Sequence, residues 1–198
     1  MRTGPAPARL RRWFALAWLM SQAFTKHQPG AILAYPVTLL TVGIYLPRRQ
    51  VYETDDGTGM VIFGRFRISN ELSAAALVFL AFLGVVVLTG VTIGPWGLNV
   101  AALLWLPFTL GLAQLDSGAL SMTPVGPETP RGERWQVAAL AQRPDTRLTA
   151  LLLTRSLLAS LPSGAVAVAA AADDRLLAAY QRLGFTKGKR RRVYRVTR

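Results

Sequence analysis

The chain contains no cysteine, one histidine (His27) and only 10 acidic residues. Without cysteine there is no disulfide, no thiolate metal site and no cysteine nucleophile. With a single histidine, a zinc site would need carboxylates alone, and no acidic cluster supplies them; no metal is expected. His27 reads as an interfacial polar residue rather than a catalyst. No G-x-S-x-G nucleophile elbow occurs. Charge itself is scarce: 17% of residues are charged, against about a quarter in ordinary soluble domains. The scarcity is local. Between Glu71 and Asp116 there is not one Asp, Glu, Lys, Arg or His.

That uncharged run is roughly twice the ~20 apolar residues needed to cross a bilayer core. Gly90, Gly94, Pro95 and Gly97 interrupt it near the middle, and such residues punctuate helices. Two transmembrane spans are therefore predicted, Ser73–Ile93 and Trp96–Leu115, joined by a tight turn. Arg48, Arg49, Arg65 and Arg67 precede the run and fourteen basic residues follow it. The excess of positive charge on both flanks places them in the cytoplasm. The expected location is the cell membrane, multi-pass.

The N-terminus begins with Arg2, Arg9, Arg11 and Arg12, followed by a short apolar stretch. An interfacial helix is expected, with Trp13 and Trp18 at headgroup level and the arginines on anionic lipid. Pro29–Pro47 is apolar but short and interrupted by Pro36. It is read as re-entrant or in-plane, or as a crossing paired with Trp13–Phe24. Gln50–Ile68 reads as strand, turn and strand, with Asp56-Gly57 at the turn.

After Gln114 the composition changes to a Gly-, Pro-, Ser- and Thr-rich linker. Trp135–Gln142 is a strand candidate. Arg147–Leu161 carries leucines at helical spacing and is stopped by Pro162-Ser163-Gly164. Ala165–Ala170 fits a buried strand. Asp173–Leu183 is a second helix, with Asp173 and Asp174 at its cap and first turn and Gly184 as its C′ residue. Phe185–Lys189 and Arg192–Val196 form a final strand pair. The chain is thus divided into a basic interfacial or membrane-embedded helical segment (1–46), a cytoplasmic β-hairpin (47–71), a transmembrane helical hairpin (72–115), a linker (116–134) and an α/β domain with a parallel strand pair (135–198).

The segment ADDRLLAAYQRLGFTKG resembles the C-terminal motif of GCN5-related N-acetyltransferases (GNATs), Asn-x-x-Ala-x-x-Leu-Tyr-x-x-x-Gly-Phe. Tyr180, Gly184 and Phe185 match it, and Asp173 stands where the Asn would be. The resemblance covers about Trp135 to Val196. It implies a GNAT-like fold, partial or divergent, that binds acetyl-CoA or another acyl-CoA and transfers the acyl group to an amine. It implies that the helix after the first strand points its N-terminus at the CoA pyrophosphate, a site whose physics is that of free amides and a helix dipole. It also implies that a splayed strand pair holds the acyl group and that Tyr180 protonates the leaving thiolate. The pyrophosphate loop would be Arg143, Pro144, Asp145, Thr146, Arg147 and Leu148, with Asp173 nearby. Thr146 and Leu148 stand where the family has small residues, Pro144 lacks an N–H, and Asp145 brings negative charge.

Glu133, just before the first strand of the domain, is the candidate general base toward the amine, with a solvated strand-end charge as the plainer reading. The net charge of +13 implies anionic partners. Lys187, Lys189, Arg190, Arg191 and Arg192 suit lipid headgroups, CoA phosphate or RNA. Lipid is favoured because the hairpin tethers the domain to a bilayer, and no nucleic-acid motif accompanies the charge. The expected partners are an anionic lipid surface, an acyl-CoA and an unidentified amine. The leading expectation is a membrane-anchored N-acyltransferase. The alternative is a non-catalytic membrane protein whose altered domain serves as an interaction or lipid-surface module.

Overall fold

The computed structural model describes residues 4–25, 27–115, 124–146 and 148–197. In chain order its elements are α1 (Leu10–Phe24), α2 (Gln28–Tyr45), β1 (Val51–Glu53), β2 (Gly59–Arg65), α3 (Ile68–Ile93), a 3-10 turn (Gly94–Trp96) and α4 (Gly97–Gln114). There follow β3 (Arg134–Gln142), α5 (Thr149–Ala159), β4 (Val166–Ala170), α6 (Asp174–Arg182), β5 (Thr186–Lys187), a second 3-10 turn (Lys189–Arg191) and β6 (Arg192–Val196).

The six strands form one sheet in the order β1-β2-β3-β4-β6-β5. Only β3 and β4 are parallel; all other neighbours are antiparallel. This revises the expected domain boundaries. The hairpin of residues 47–71 is not separate from the α/β domain. β2 lies against β3, with Met60 opposite Ala141 and Val61 opposite Leu140. The apolar helices α3 and α4 are therefore inserted between two adjacent strands of a single sheet.

A bulge sets the shape of β3. Ile62 faces Ala139 and Phe63 faces Val137, so Ala138 is the extra residue. An extra residue bends its strand and reverses which face the following side chains occupy. Val137 accordingly packs with Val61, Phe63, Leu153, Leu157 and Tyr180 under α5 and α6. Ala139, two residues on, packs with Met60, Ile62, Leu16 and Met20 on the face covered by α1. Beyond the bulge β3 leaves its parallel neighbour: the pairing with β4 covers only Arg134–Val137 against Val166–Ala169. The two parallel strands splay toward their carboxyl ends.

The C-terminal elements follow the sequence closely. α6 is capped by Asp173, whose Oδ1 accepts from the Leu176 amide at 2.6 Å. Gly184 has φ +83°, the left-handed value that favours glycine after a helix. β5 is shorter than expected, two residues paired with β6.

The N-terminal half differs more. α1 and α2 form a helical hairpin laid on the sheet. Thr38 Oγ1 donates to the Ala17 carbonyl at 2.9 Å, and Ala17, Ser21, Ala34 and Thr38 are fully buried. Small side chains let the two helices approach closely. Pro36 does not interrupt α2, which stays helical from Gln28 to Tyr45. Trp13 is half-buried between the two helices. Its Nε1–H donates to the Leu39 carbonyl at 2.7 Å, and its ring covers Gly43, where a Cβ would stand 2.7 Å from it. Trp18 is partly exposed and meets Tyr35 edge-on at 5.7 Å.

α3 begins at Ile68, taking Glu71 into its first turn. Phe82 and Trp105 meet at 4.9 Å between α3 and α4. Gly97 lies so close to the Thr89 carbonyl that a Cβ would stand 2.4 Å from its oxygen. α4 also packs on α2, where Gly111 meets the Leu33 backbone. The helical stretch Ile68–Gln114 is long and apolar enough to cross a membrane, and almost none of it is buried within the protein.

Candidate functional site

Because β3 and β4 run parallel, the loop after β3 and the turn before α6 lie at the same edge of the sheet. Ligand sites in open α/β sheets form at such carboxyl edges. Two anchors fix the β3–α5 loop. The Arg143 amide donates to the Thr58 carbonyl at 2.8 Å in the β1–β2 turn. Thr146 closes the loop on itself, its amide and hydroxyl donating to the Arg143 carbonyl at 3.0 and 2.9 Å. Gln142 Nε2 donates to the Thr146 carbonyl at 3.0 Å.

Leu148 sits just before α5 with φ 64°, a left-handed conformation that costs a leucine about 1–2 kcal/mol. Its side chain is 56% exposed, so it does not plug the helix start. The first bond of the helix runs from the Leu152 amide to the Leu148 carbonyl. The amides of Thr149 and Ala150 have no acceptor among the described residues. The Thr149 hydroxyl is buried without a hydrogen-bond partner. This first turn rests on Gly59, where a Cβ would stand 2.9 Å from Thr149 Oγ1 and 3.1 Å from the Ala150 nitrogen. Glycine at this position lets β2 and α5 touch. Arg147 lies outside the described residues.

A cleft of about 520 Å³ adjoins the loop. Arg143, Pro144 and Asp145 form one wall, and Gly57 of the β1–β2 turn closes an end. From α1 the lining takes Arg12, Trp18 and Gln22 together with Leu16 and Leu19, and from α2 it takes Gln28. Arg12 is held by an ion pair with Glu53. Asp56 of the same turn accepts from the Thr58 amide at 3.1 Å, and hydrogen bonds from Thr54 and Thr58 hold its carboxyl below the usual carboxylate range.

No family model matches the chain, and no curated protein matches it in sequence.

The candidate residues from the sequence therefore stand on geometry. Arg143, Asp145, Thr146 and Leu148 are brought together at the start of α5. Asp173 lies at the same edge but is engaged as the α6 cap. Tyr180 is in the core, 2% exposed, with its ring 5.2 Å from that of Phe185. Burial pushes its phenol well above the ordinary value, and it lines neither described pocket.

Glu133 lies away from this loop. It precedes the amino end of β3, ten residues from Arg143, and at ~3.3 Å per residue lies roughly 30 Å from the loop. It accepts from Trp135 Nε1 at 3.0 Å and pairs with Arg65 at 2.7 Å. A base for chemistry at the carboxyl edge cannot act from the opposite edge. The sequence reading missed Arg12, Trp18 and Gln22. Nothing in a membrane-directed basic segment signals that its helix will wall a cleft.

Proposed function

We propose that the protein is a membrane-anchored N-acyltransferase that takes its acyl group from an acyl-CoA. One observation carries the reading: α5 opens, where the parallel strands diverge, with amides that have no acceptor among the described residues. Free amides and the helix dipole favour an anion such as a diphosphate. The gap between β3 and β4 leaves backbone groups of β3 beyond Val137 without a β4 partner, suited to a strand-like acyl–pantetheine chain. The GNAT resemblance of the Tyr180–Phe185 segment agrees with this placement.

The transfer needs little from the protein beyond position. The amine nitrogen attacks the thioester carbonyl carbon, the C–N bond forms and the C–S bond breaks. The amine proton goes to solvent and the CoA thiolate leaves. In this reading Tyr180 packs the core under the site rather than touching the leaving group.

The α3–α4 hairpin is the anchor. Leu77, Leu80, Leu88, Val91 and Leu103 are each at least 60% exposed. A contiguous apolar surface of this extent calls for lipid. Both ends of the hairpin return to one sheet, so the sheet lies on a single side of the bilayer, the cytoplasmic side by the distribution of positive charge.

Titration calorimetry of the full chain in nanodiscs with acetyl-CoA tests the reading. Saturable binding in the micromolar range is expected; no binding up to millimolar overturns it. The burial of Tyr180, together with Pro144 and Asp145 in the loop, favours a second reading, a non-catalytic module at the membrane surface. That second reading predicts the null titration.

A further inference from the structure

The cleft beside the β3–α5 loop has two properties that the acyl-CoA reading leaves unused. The first is its charge pattern. Arg143 brings a guanidinium to the lining and Asp145 a carboxylate, beside the amides of Gln22 and Gln28 and the Arg12 guanidinium that Glu53 already holds. Among the described residues neither Arg143 nor Asp145 has a side-chain partner. One cation and one anion, neither of them partnered, on a single loop complement a ligand that carries a phosphate and an ammonium together.

The second property is its continuity with the apolar surface. Trp18 lines the cleft and touches Tyr35. Tyr35 reaches the Phe14 carbonyl, and Phe14 is 43% exposed. On α2, Ile32 and Leu33 are exposed, and the Leu33 backbone is where α4 docks through Gly111. An apolar path thus runs from the α3–α4 hairpin over α2 to the aromatic rim of the cleft. Aromatic side chains with one polar edge suit the zone between acyl chains and headgroups.

We infer that this cleft is the acceptor site and that its acceptor is the primary-amine headgroup of a membrane phospholipid, a proposal that rests on the N-acyltransferase reading. The lipid phosphate lies against Arg143, and the ammonium lies toward Asp145. The glycerol and upper acyl chains follow Trp18 and Phe14 down to the bilayer. The ammonium loses one proton to water, the free amine attacks the thioester carbonyl, and the second proton leaves as the amide forms. The products are an N-acylated lipid and free CoA. A soluble amine lacks the apolar path and the phosphate contact.

The test uses the full chain in vesicles of phosphatidylethanolamine and phosphatidylglycerol, with acetyl-CoA labelled in the acetyl group. Label is expected in the phosphatidylethanolamine. Vesicles in which phosphatidylcholine replaces phosphatidylethanolamine should give none, because a quaternary ammonium cannot form an amide. Trp18→Ala, on α1 and outside the first turn of α5, should lower transfer to lipid by about tenfold or more, an effect equal to ~1.4 kcal/mol. Its affinity for acetyl-CoA should stay unchanged. If the chain binds acetyl-CoA but labels only soluble amines or protein, the lipid proposal fails and the acyltransferase reading survives. If acetyl-CoA does not bind, both fail.

Discussion

The Tyr45 hydroxyl donates a hydrogen bond to Glu71 Oε2 at 2.8 Å, while Glu71 Oε1 accepts from Gln136 Nε2 at 3.0 Å. One carboxylate thereby joins the end of α2, the first turn of α3 and strand β3. Glu71 is also the last charged residue before the uncharged run, so the joint sits at the root of the apolar hairpin. The negative charge is well placed at the amino end of α3. Removing it orphans two donors. Glu71→Ala should destabilise the protein by about 2–3 kcal/mol, since bonds to a charged group contribute about 1.5–3 kcal/mol. Glu71→Gln, which still accepts a hydrogen bond, should cost less. Thermal unfolding in detergent compares the two.

The hairpin should fail to insert when charge is placed on its exposed face. Leu80 and Leu103 are 60% and 68% exposed, so arginine at either meets no steric obstacle within the protein. Each arginine should cost about 2.5–3.5 kcal/mol of insertion free energy near a helix centre. Leu80→Arg with Leu103→Arg should move the chain from the carbonate-resistant membrane fraction to the soluble or aggregated one. The absence of cysteine gives a clean background for a complementary probe. Trp96→Cys at the turn should react with an impermeant thiol reagent from outside intact cells, and Arg131→Cys should not. Equal labelling of both would contradict a cytoplasmic sheet.

Gly59→Ala should separate α5 from β2. The new Cβ would stand 2.9 Å from Thr149 Oγ1 and 3.1 Å from the Ala150 nitrogen, and the second of these neighbours is backbone. Overpacking of this kind costs about 1–3 kcal/mol. Acetyl-CoA affinity should fall with it, because the first turn of α5 shifts. A variant that unfolds earlier yet binds acetyl-CoA as tightly as the parent would remove α5 from the cofactor site.

Tyr180 divides the packing role from the chemical one. Tyr180→Phe keeps the ring against Phe185 and should leave both stability and turnover near those of the parent. Tyr180→Ala should cost about 3–5 kcal/mol, the usual loss for emptying a large aromatic from a core. A Tyr180→Phe variant that folds normally but loses turnover would return the phenol to the mechanism.

Glu128 makes a pH-dependent clasp. Its Oε1 accepts from the Lys189 amide at 3.0 Å, and it lies in a close pocket with Gly126 and Gly188. A hydrogen bond from its own amide, then one from the Lys189 amide, then the charges of Arg192 and Lys189 hold its carboxyl below the usual value, with burial opposing. A carboxyl depressed in the folded state stabilises above its unfolded pKa and loses that contribution as pH falls through the folded value. Glu128→Gln should therefore melt below the parent at neutral pH. The two melting curves should converge as pH drops below the ordinary carboxylate range. A constant difference across that range would assign the effect to packing instead.

Much of the C-terminal half was legible from local pattern. The leucine spacing of α5, the cap at Asp173 and the glycine at Gly184 concern residues within one or two turns of one another, and such signals survive in any context that keeps the helix. The uncharged run declared the apolar hairpin in the same way. The N-terminal half was misread where tertiary contacts overrode local cues. The bond from Trp13 Nε1 to the Leu39 carbonyl joins residues far apart in the chain, and no local cue announces it. Pro36 looks like a break, yet α2 is supported on two sides by α1 and α4.

By itself the sequence determined where the two C-terminal helices form, where charge is excluded, and that a parallel strand pair would form, because periodicity and capping act between near neighbours. Only the tertiary structure decided that β2 crosses over the inserted hairpin to pair with β3, that Ala138 bulges and parts β3 from β4, and that Arg12 and Trp18 line a cleft with Arg143. Each of these joins residues far apart in the chain. Their pairing depends on the hydrogen bonds and buried surface that the assembled sheet offers, and no window of local sequence contains both partners.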